Sequence, residues 1–363
     1  MRLYTKVLVV GGGPAGATAA RVLAAHGADV ILLEKNLSFS KPCGGGITLS
    51  AFDEFSIPRK AIKRVAKKIR LISPQGEEVV IGLGDGGLAI VRRGEFDFLL
   101  REKAEERGAR IIEGEFSEIA AGRPCRIMSR VKGDAIEIIA EYVIAADGVN
   151  SPVRRALKIG PPQRLFAVSE HIRERGEDTC EFWFGCSHAP GLYSWIFPAE
   201  GGISVGTGSF QPWKLRGLFE KFKIRAGIKT ETPGRIYGIP IWKGDLYSKD
   251  NVLFAGDSAG HVLPLTYEGI YYAMKSAETA AQAILEGKAH KYKKMWQTGF
   301  QKKFVLMGRL RSFFLKDDAH VEKLVALHKR PEIQQASLRL WLTKDTSKEG
   351  LLSYLGFFRK FLS

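Results

Sequence analysis

The chain has 363 residues, of which 55 are lysine or arginine and 39 are aspartate or glutamate, so its net charge is +16. Hydrophobic residues make up 45% and charged residues 26%, a balance that excludes a largely disordered chain. No apolar run reaches the length of a membrane span. We therefore expect a cytoplasmic protein, with peripheral attachment at the inner face of the membrane left open.

The excess of positive charge suggests an anionic partner. An anionic membrane surface or an acidic electron-transfer protein would fit, and a basic host proteome would give the same charge without a partner. No nucleic-acid-binding motif accompanies the charge, so no nucleic-acid partner is expected. The 4 cysteines form no CxxC pair, so no metal site is expected either.

The start of the chain predicts a dinucleotide-binding βαβ unit. A buried strand over Val7–Val10 leads into a glycine-rich turn and an alanine-rich helix from Ala15 to His26. A second apolar strand over Val30–Leu33 then ends in Glu34. This order of elements is the context that gives a Gly-x-Gly-x-x-Gly motif its meaning.

Each glycine of this motif has its own task. Gly11 permits the tight turn, Gly13 lets the backbone approach a pyrophosphate, and Gly16 lets the helix pack against the strand. The helix N-terminus offers unpaired N–H groups to the phosphates. Glu34 can accept a hydrogen bond from a ribose hydroxyl. The segment predicts an adenine dinucleotide, and on its own it does not separate NAD from FAD.

The next part of the chain alternates between loops, short strands and helices. Ser38–Ser50 contains Cys43 followed by three glycines, which cannot form a stable helix or strand and permit close approach to a flat ligand. Further along, the patterns predict short strands over 65–92, a helix from Arg93 to Gly108, a strand over 109–112, a hairpin over 126–139 and a buried strand over 143–146.

From about residue 165 to 242, aromatic and β-branched residues alternate with turns. This pattern predicts a mostly antiparallel sheet that covers a ligand, interrupted by a helix over about 214–226. Another buried strand over 252–255 leads into Gly256-Asp257 and a helix that ends near Glu286. The remainder of the chain is predicted to be helical.

Two basic segments in this helical part leave two interpretations open. Lys288–Lys316 holds nine lysine or arginine residues and no acid, with aromatic residues interleaved, and Leu351–Leu362 is a second basic and apolar patch. Both resemble basic amphipathic helices at a membrane surface. Helices that pack one face on the core and keep a solvated basic face would give the same pattern.

Three glycine-containing segments, each following a buried strand, together resemble the FAD-binding fold of the p-hydroxybenzoate hydroxylase class. They are the opening motif, Asp147-Gly148 and Gly256-Asp257. The resemblance implies FAD, with its adenine end at the opening motif. It places the pyrophosphate near Asp147-Gly148 and Arg154, and the ribityl chain at Asp257. Arg93, in Arg-x-x-Phe-Asp, matches the cofactor-contacting arginine of the class.

The predicted fold class is α/β, with a Rossmann-like FAD-binding domain, an antiparallel-sheet substrate domain and a helical C-terminal region. The FAD-binding domain is predicted to be discontinuous over 1–64, 93–164 and 245–290, the substrate domain to cover 65–92 and 165–244, and the helical region 291–363. The residues predicted to bind FAD are Gly11, Gly13, Pro14, Ala15, Gly16, Glu34, Lys35, Cys43, Gly44, Gly45, Arg93, Asp147, Gly148, Arg154, Gly256, Asp257, Gly269 and Ile270.

Two further stretches narrow the class. Lys41-Pro-Cys43-Gly-Gly-Gly46 and Tyr193-Ser-Trp195-Ile-Phe197-Pro198 resemble signatures of the geranylgeranyl reductase family, and Gly256–Ile270 is similar as well. This resemblance covers about residues 1–290. It implies a flavoenzyme that saturates C=C bonds of a geranylgeranyl-type prenyl chain by hydride transfer from reduced flavin. The substrate would be a prenylated lipid or a prenyl diphosphate.

Tyr193, Trp195 and Phe197 alternate on a predicted strand, so their side chains project to one face. With Pro264, they are predicted to line an apolar channel for the prenyl chain; a plain sheet core would show the same aromatics. Cys43 is a candidate proton donor, because a cysteine thiol is mostly protonated near neutrality. Cys43, Tyr193 and Trp195 form the predicted catalytic set. The Cys43 loop, the aromatic strand and the helix after the Gly-Asp motif should converge on the flavin ring.

His171, Tyr267 and His261 are weaker candidates for the catalytic role. The sequence has no second Gly-x-Gly-x-x-Gly between a strand and a helix, so no separate nicotinamide domain is encoded. The resemblance leaves NAD(P)H, bound transiently, and ferredoxin as electron donors.

The alternatives are a flavin monooxygenase of an aromatic or isoprenoid substrate, a halogenase, and an electron-transfer flavoprotein that reduces quinone. The hydroxylases lack the cysteine–glycine loop. The halogenase motif Trp-x-Trp-x-Ile-Pro differs from this chain at Tyr193 and Phe197. The absence of a cysteine cluster opposes the iron–sulfur version of the quinone-linked class.

Overall fold

The structure is a computed structural model that describes residues 1–173, 176–229 and 232–344, together with Gly356. The chain divides into two compact units. Unit 1 comprises Met1–Ser40, Gly94–Arg164 and Ile239–Gln301, and unit 2 comprises Lys41–Arg93, Leu165–Gly238 and the residues from Lys302 onward. Residues 41–64, predicted within the FAD-binding domain, lie in unit 2 in this division. The helical C-terminal region predicted from residue 291 is divided between both units.

The described residues form strands with the following bounds: β1 Arg2–Val10, β2 Val30–Glu34, β3 Gly46–Thr48, β4 Ile62–Ala66, β5 Lys68–Ile72, β6 Glu78–Gly82, β7 Leu88–Val91, β8 Arg110–Glu113, β9 Glu115–Ala120, β10 Cys125–Val131, β11 Asp134–Ala145, β12 Arg164–Ile172, β13 Thr179–Trp183, β14 Ser194–Ala199, β15 Gly202–Ser209, β16 Arg235–Pro240, β17 Ser248–Lys249 and β18 Val252–Phe254.

The α-helices have the bounds α1 Pro14–Ala25, α2 Leu49–Glu54, α3 Arg93–Glu105, α4 Pro152–Ala156, α5 Leu215–Arg225, α6 Ile270–Leu285, α7 Tyr292–Trp296, α8 Lys302–Phe314, α9 Asp318–Leu327 and α10 Pro331–Leu342. Short 3₁₀ turns occupy Arg59–Ala61, Pro212–Lys214, Gly256–Ala259 and Ala289–Lys291, and a π-helical turn occupies Gln297–Gln301.

Unit 1 is built on a sheet with the strand order β17-β18-β11-β1-β2-β8, extended by β10 and β9. The central strands β18, β11, β1, β2 and β8 are parallel. The apolar runs of β1 and β2 are buried on both faces, as expected of strands in a parallel sheet. The predicted hairpin is present between β10 and β11. Its second strand and the predicted strand over 143–146 are one continuous strand, β11.

Unit 2 contains a seven-stranded sheet in the order β16-β12-β15-β14-β13-β5-β6 and a small sheet in the order β3-β7-β4. The pairs β12–β15, β14–β15, β13–β14 and β5–β6 are antiparallel, whereas β13 and β5 are parallel. Helix α5 packs Leu215, Phe219 and Phe222 on this sheet. The expectation that all three glycines after Cys43 avoid regular structure is wrong for Gly46, which begins β3.

The structure distinguishes between the two interpretations of the basic segment Lys288–Lys316. Tyr292, Trp296, Phe304 and Phe314 are fully buried, and the lysines at 288, 291, 293 and 294 are exposed. These four aromatic residues are therefore used in packing, whereas Phe300 and Phe313 are partly exposed. The second segment, Leu351–Leu362, lies outside the described residues except for Gly356. No helix in the described part of the chain is both long enough and apolar enough to span a bilayer.

Candidate active site

The glycine-rich turn after β1 is shaped by close backbone contacts within unit 1. Gly11 has a φ of +101°, and a Cβ atom there would lie 2.4 Å from the carbonyl oxygen of Ala146. A Cβ atom on Gly16 would lie 1.8 Å from the carbonyl oxygen of Gly11. Both positions therefore require glycine. A Cβ atom on Gly13 would meet nothing within 4 Å, so open space adjoins the turn at the start of α1.

The N-terminus of α1 follows directly on the glycine-rich turn. Its N-cap residue is Gly13, which has no side chain that could cap the helix, and Pro14 lies in the first turn. The first N–H groups of a helix lack intrahelical partners, and the helix dipole adds partial positive charge there. The pyrophosphate of a dinucleotide fits these donors.

Glu34, at the end of β2, is fixed beside this turn. Its Oε2 accepts from the N–H of Gly12 at 2.6 Å, and its Oε1 accepts from the N–H of Asn36 at 3.0 Å. A carboxylate has about four lone-pair positions, so both oxygens keep acceptor capacity for ribose hydroxyls. Lys35, predicted to bind the cofactor, has an exposed side chain at the next position.

Arg101 is a site residue that the sequence analysis missed. It is buried on α3, where its Nη1 donates to the Gly12 carbonyl at 3.0 Å and its Nη2 donates to the Leu37 carbonyl at 2.7 Å. The side chain thus ties the glycine-rich turn to the loop after β2. Helical spacing could have indicated Arg101. It follows Asp97 by four residues and Arg93 by eight on the same helix, and residues at this spacing share one side of a helix.

Asp147 and Gly148 follow β11 at the same edge of the sheet. The Asp147 carboxylate accepts from the Ser151 hydroxyl at 2.7 Å and from the N–H of Val153 at 2.9 Å. Burial raises the pKa of Asp147 to about 6, and these hydrogen bonds act in the opposite direction. Gly148 has a φ of +79°, a conformation that glycine adopts without strain. Asp147 therefore fixes the turn that opens α4.

Arg154 joins the two aspartate-containing segments of unit 1. Its Nε donates to the Gly160 carbonyl and its Nη1 to the Ser258 carbonyl, both at 2.8 Å. Burial lowers the pKa of the guanidinium. Ser258, which the sequence analysis did not select, donates from its hydroxyl to the Ala145 carbonyl at 2.6 Å. The Gly-Asp segment is therefore attached to the end of β11 through buried polar contacts.

The Gly-Asp segment also sets the start of α6. Gly256 has a φ of +65°, and a Cβ atom there would lie 3.0 Å from Ala15 Cβ and 3.3 Å from Ala273 Cβ. This close approach lets α1 and α6 pack together. Asp257 is partly buried, and a Cβ atom on Gly269 would lie 3.8 Å from its Oδ1. The carboxylate thus lies beside the N-cap of α6, next to Ile270.

The loop before α6 has an unusual backbone. Leu265 and Tyr267 have φ values of +79° and +52°, a region that costs non-glycine residues energy and is enriched at functional sites. The loop is closed by hydrogen bonds between residues 263 and 267 and between 263 and 268. Pro264 and Tyr267 are partly exposed in it.

His261 precedes this loop and is fully buried. Its ring stacks on Trp296 with the centroids 4.2 Å apart, and burial lowers its pKa to about 3. Neither ring nitrogen has a hydrogen-bond partner among the described residues. His261 is therefore neutral near physiological pH and inaccessible to solvent.

In unit 2, the glycine loop after Cys43 lies against aromatic side chains. Cys43 is exposed, and its Sγ accepts from the N–H of Gly45 at 3.3 Å. A Cβ atom on Gly44 would lie 2.9 Å from Phe197 Cδ2 and 3.2 Å from Trp195 Nε1. Gly45 has a φ of +76°, and its Cβ would lie 2.4 Å from the Val91 carbonyl oxygen. The loop thus approaches the aromatic rings as closely as a backbone can.

Five aromatic side chains cluster beside the seven-stranded sheet, and we call this cluster the aromatic face. Its members are Phe182 on β13, Tyr193 just before β14, Trp195 and Phe197 on β14, and Trp341 on α10. Phe182 is paired directly with Trp195 across β13 and β14, so the two side chains share a face. Its ring lies 5.1 Å from Tyr193, 5.3 Å from Phe197 and 6.3 Å from Trp341, centroid to centroid, in edge-on contacts. All five side chains are partly exposed.

The Trp195 indole packs closely against Gly206. A Cβ atom on Gly206 would lie 2.2 Å from its Cζ2. Its Nε1 is buried and has no hydrogen-bond acceptor among the described residues. Such a donor is costly to leave unsatisfied, so it is a candidate contact for a bound polar group.

A buried polar network lies on the opposite face of β14. His188 Nδ1 is 2.8 Å from the Ser194 Oγ, which donates to the Thr207 hydroxyl at 2.8 Å. Thr207 donates in turn to the His188 carbonyl at 2.9 Å. Burial lowers the pKa of His188 to about 4. The network ties the loop before β14 to β14 and β15, and the sequence carried no local signal for it.

The predicted site residues therefore fall into two groups. The opening glycines, Glu34 and the Asp147, Gly256 and Gly269 segments are brought together in unit 1, whereas Cys43, Gly44, Gly45 and the aromatic strand are brought together in unit 2. Arg93 is buried at the first position of α3. His171, one of the weaker catalytic candidates, is exposed on β12.

The chain is similar to known FAD-dependent proteins. A family model described as FAD binding domain matches residues 4–201. The chain is 30% identical to the geranylgeranyl diphosphate reductase of Synechocystis sp., over 94% of this chain and 93% of the relative. It is 29% identical to the digeranylgeranylglycerophospholipid reductase of Methanothrix thermoacetophila, over 92% and 93% of the two chains.

A solved structure shares the fold. It belongs to a geranylgeranyl bacteriochlorophyll reductase-like protein of Thermoplasma acidophilum, with a TM-score of 0.85, 24% identity and 99% coverage of both chains. The expected α/β flavoprotein architecture and the expected FAD are confirmed by these likenesses and by the FAD binding domain.

Proposed function

The chain belongs to the geranylgeranyl reductase family of FAD-dependent oxidoreductases, and we propose that it saturates C=C bonds in the prenyl chain of a lipid or prenyl diphosphate. The observation that carries this proposal is the seating of the Cys43–Gly46 loop on the aromatic face, with Gly44 against Phe197 and Trp195. This arrangement offers a flat apolar surface for an isoprenoid and a thiol beside it.

Unit 1 holds the cofactor in this proposal. Bound FAD, once reduced, supplies the hydride that an unactivated alkene needs. The opening turn and the N-terminus of α1 bind the pyrophosphate, and Glu34 accepts from the adenosine ribose. Asp257, beside the start of α6, accepts from the ribityl hydroxyls. The open space beside Gly13 and the lone pairs left on Glu34 support this assignment.

Three side chains, of which Arg101 and Arg154 are buried and Asp147 is partly buried, act as positioning residues in this site. Arg101 fixes the glycine-rich turn by donating to the Gly12 carbonyl, and Arg154 fixes the Gly-Asp segment by donating to the Ser258 carbonyl. Asp147 fixes the turn into α4. Each holds backbone that would face the cofactor, so its loss should weaken FAD binding more than it alters the chemistry.

The aromatic face of unit 2 binds the prenyl chain. Tyr193, Trp195 and Phe197 present partly exposed rings, and a C=C bond lies well against such rings because both are flat and apolar. Burying the chain there also excludes water from the reacting carbons. Pro264 belongs to unit 1, and its role as a further substrate contact remains part of the proposal.

Cys43 supplies the proton. Saturation of one C=C bond adds a hydride to one carbon and a proton to its neighbour, so a donor must reach that neighbour. Cys43 directly precedes Gly44, which lies against Phe197 and Trp195, and the N–H of Gly45 would stabilise the thiolate that remains. Because Cys43 is exposed, water can restore its proton after turnover. His261 is a poorer donor because it is fully buried and neutral.

The electron donor is NAD(P)H or ferredoxin in this proposal. The exposed lysines at 291, 293 and 294 in unit 1 form a basic surface that suits an acidic protein. Reduction by ferredoxin should slow as the salt concentration rises and after Lys291→Glu with Lys294→Glu. Reduction by NAD(P)H should respond far less to either change, so the two donors are separable by stopped-flow kinetics.

An anaerobic assay tests the function itself. The bound flavin is reduced with dithionite and mixed with geranylgeranyl diphosphate or a geranylgeranyl lipid, and flavin reoxidation is followed with the product mass. Reoxidation with a product heavier by two hydrogens per double bond supports the proposal. Reoxidation only with oxygen, and a product heavier by one oxygen atom, would establish a monooxygenase instead.

A further inference from the structure

The outward face of α5 in unit 2 carries two large apolar side chains that the protein core does not cover. Trp213, in the 3₁₀ turn before the helix, is 76% exposed, and Ile224, in its last turn, is 79% exposed. The other face of the helix is buried through Leu215, Phe219 and Phe222. Neither exposed residue is thus needed for packing on the sheet.

The two residues lie near the two ends of the helix. They are separated by eleven positions, which is about three helical turns, so they lie roughly 16 Å apart along the axis, and both side chains are exposed. Gly217 lies between them, and a Cβ atom there would meet nothing within 4 Å. Glu220 also lies between them and is paired with Lys223 at 2.8 Å.

Exposed cations lie along and after this segment: Lys214, Arg216 and Lys221 lie between Trp213 and Ile224, and Lys229 lies four residues after the end of the helix. A tryptophan and an aliphatic side chain bordered by lysine and arginine are the pattern of an interfacial helix, whose apolar residues enter the headgroup region and whose cations contact anionic lipids. A purely acidic protein partner would use the cations but gives no reason for two exposed apolar side chains. The charge and the two exposed apolar side chains together favour a lipid surface.

We propose that the α5 face, comprising Trp213, Lys214, Arg216, Lys221, Ile224 and Lys229, docks the protein on anionic membranes. Trp213 and Ile224 insert between the headgroups, and the four cations neutralise lipid phosphates. This surface differs from the basic segment Lys288–Lys316, in which Tyr292, Trp296, Phe304 and Phe314 are fully buried. The inference concerns lipid binding alone, so it does not depend on which substrate is reduced.

Vesicle co-sedimentation of the full FAD-loaded chain tests the inference. The probe is phosphatidylcholine vesicles with and without phosphatidylglycerol. Wild-type protein should bind the anionic vesicles more tightly, and Lys214→Glu with Arg216→Glu and Lys221→Glu should weaken binding by about fivefold or more per cation. Trp213→Ser with Ile224→Ser should weaken it by about tenfold or more. The matched control, Tyr4→Ser with Val80→Ser, removes two exposed apolar side chains elsewhere and should bind as wild type.

A second readout follows insertion directly. Brominated lipid should quench the tryptophan fluorescence of wild type more than that of Trp213→Phe, which keeps an aromatic residue at this position. Unchanged flavin content and melting temperature establish that each variant is folded.

The inference is overturned if wild type does not sediment with anionic vesicles, or if the Trp213→Ser, Ile224→Ser variant binds them as well as wild type does. It is also overturned if wild type does not bind vesicles and the charge-reversal variant is no longer reduced by an acidic electron-transfer protein. The α5 face would then dock a protein.

Discussion

Gly44 has no room for a side chain, and this crowding gives a sharp test of the aromatic face. A Cβ atom there would lie 2.9 Å from Phe197 Cδ2, 3.2 Å from Phe197 Cε2 and 3.2 Å from Trp195 Nε1. Ordinary contacts begin near 3.4 Å. Gly44→Ala must therefore displace the Phe197 ring or the loop by about half an ångström.

We expect this displacement to cost activity rather than folding. Overpacking of this kind costs about 1–3 kcal/mol, and a misplacement of about 1 Å near reacting groups can cost on the order of a hundredfold in rate. Gly44→Ala should lower kcat/KM for a geranylgeranyl substrate by about ten- to a hundredfold. The FAD content should stay near that of wild type, because the turns that hold the pyrophosphate and the ribityl chain in this proposal lie in unit 1.

Gly46→Ala is the matched control from the same loop. A Cβ atom on Gly46 would lie 3.4 Å from Phe197 Cε2, an ordinary contact, and neither glycine has a positive φ. Steady-state kinetics with the flavin absorbance spectrum measures both variants. Equal kcat/KM values for Gly44→Ala and Gly46→Ala would refute the role given to the loop and the aromatic face.

Three further changes test other parts of the site. Cys43→Ala should slow alkene-dependent flavin reoxidation in anaerobic stopped-flow experiments and leave FAD bound, because it removes only the proton donor. Arg101→Met should weaken FAD binding by about tenfold or more in a fluorescence titration of the apoprotein, since two buried hydrogen bonds to backbone carbonyls are lost. His261→Phe should reduce acid sensitivity. The pKa of His261 is about 3 in the fold against 6.5 ordinarily, so its stabilising neutral form is fully present above pH 6.5. That contribution falls by about 1.4 kcal/mol per unit as the pH drops towards 3.

A specific result would contradict each of these three predictions. An unchanged single-turnover rate in Cys43→Ala removes the thiol from the mechanism. Lys103→Ala is the control for Arg101→Met, because Lys103 on α3 pairs with Glu106 at the surface and should not affect FAD binding. Equal FAD affinities of the two variants would contradict the role of Arg101 in holding the opening turn. For His261→Phe, the free energy of unfolding is measured by urea at pH 7 and at pH 4.5. Between these two values the variant should lose about 3 kcal/mol less than wild type does, and equal losses in both proteins would refute the buried neutral histidine.

Local signals made much of unit 1 predictable. Apolar runs bounded by glycines located β1, β2 and β18, and the turn at Lys132-Gly133 located the hairpin of β10 and β11. Such features depend on residues close in sequence, so a single chain reveals them. The same holds for the start of α6 after Gly269.

Contacts between distant residues were less predictable. Strand β5 pairs in parallel with β13, more than a hundred positions later, and no local pattern specifies that register. The hydrogen bonds of Arg101 to Gly12 and of Arg154 to Ser258 also join distant positions. Local patterns therefore indicate the glycines and aspartates of the site but not Arg101, which holds the opening turn.

Composition also could not decide which basic segment keeps an exposed apolar face. Lys288–Lys316 is rich in both charge and aromatic residues, yet Trp296 and Phe304 are buried. Helix α5 has a similar pattern, yet Trp213 and Ile224 are exposed. Both segments combine cations with apolar residues, and the packing partners decide which apolar residues stay exposed.

The most direct test of the proposed reaction is a single turnover without oxygen. Enzyme whose flavin has been fully reduced is mixed with excess geranylgeranyl diphosphate or geranylgeranyl lipid, and both the oxidised flavin and the product are quantified by absorbance and mass spectrometry. We predict one saturated double bond for each flavin oxidised. A flavin that stays reduced with every prenyl substrate until oxygen is admitted, with oxygen then appearing in the product, would contradict the proposal.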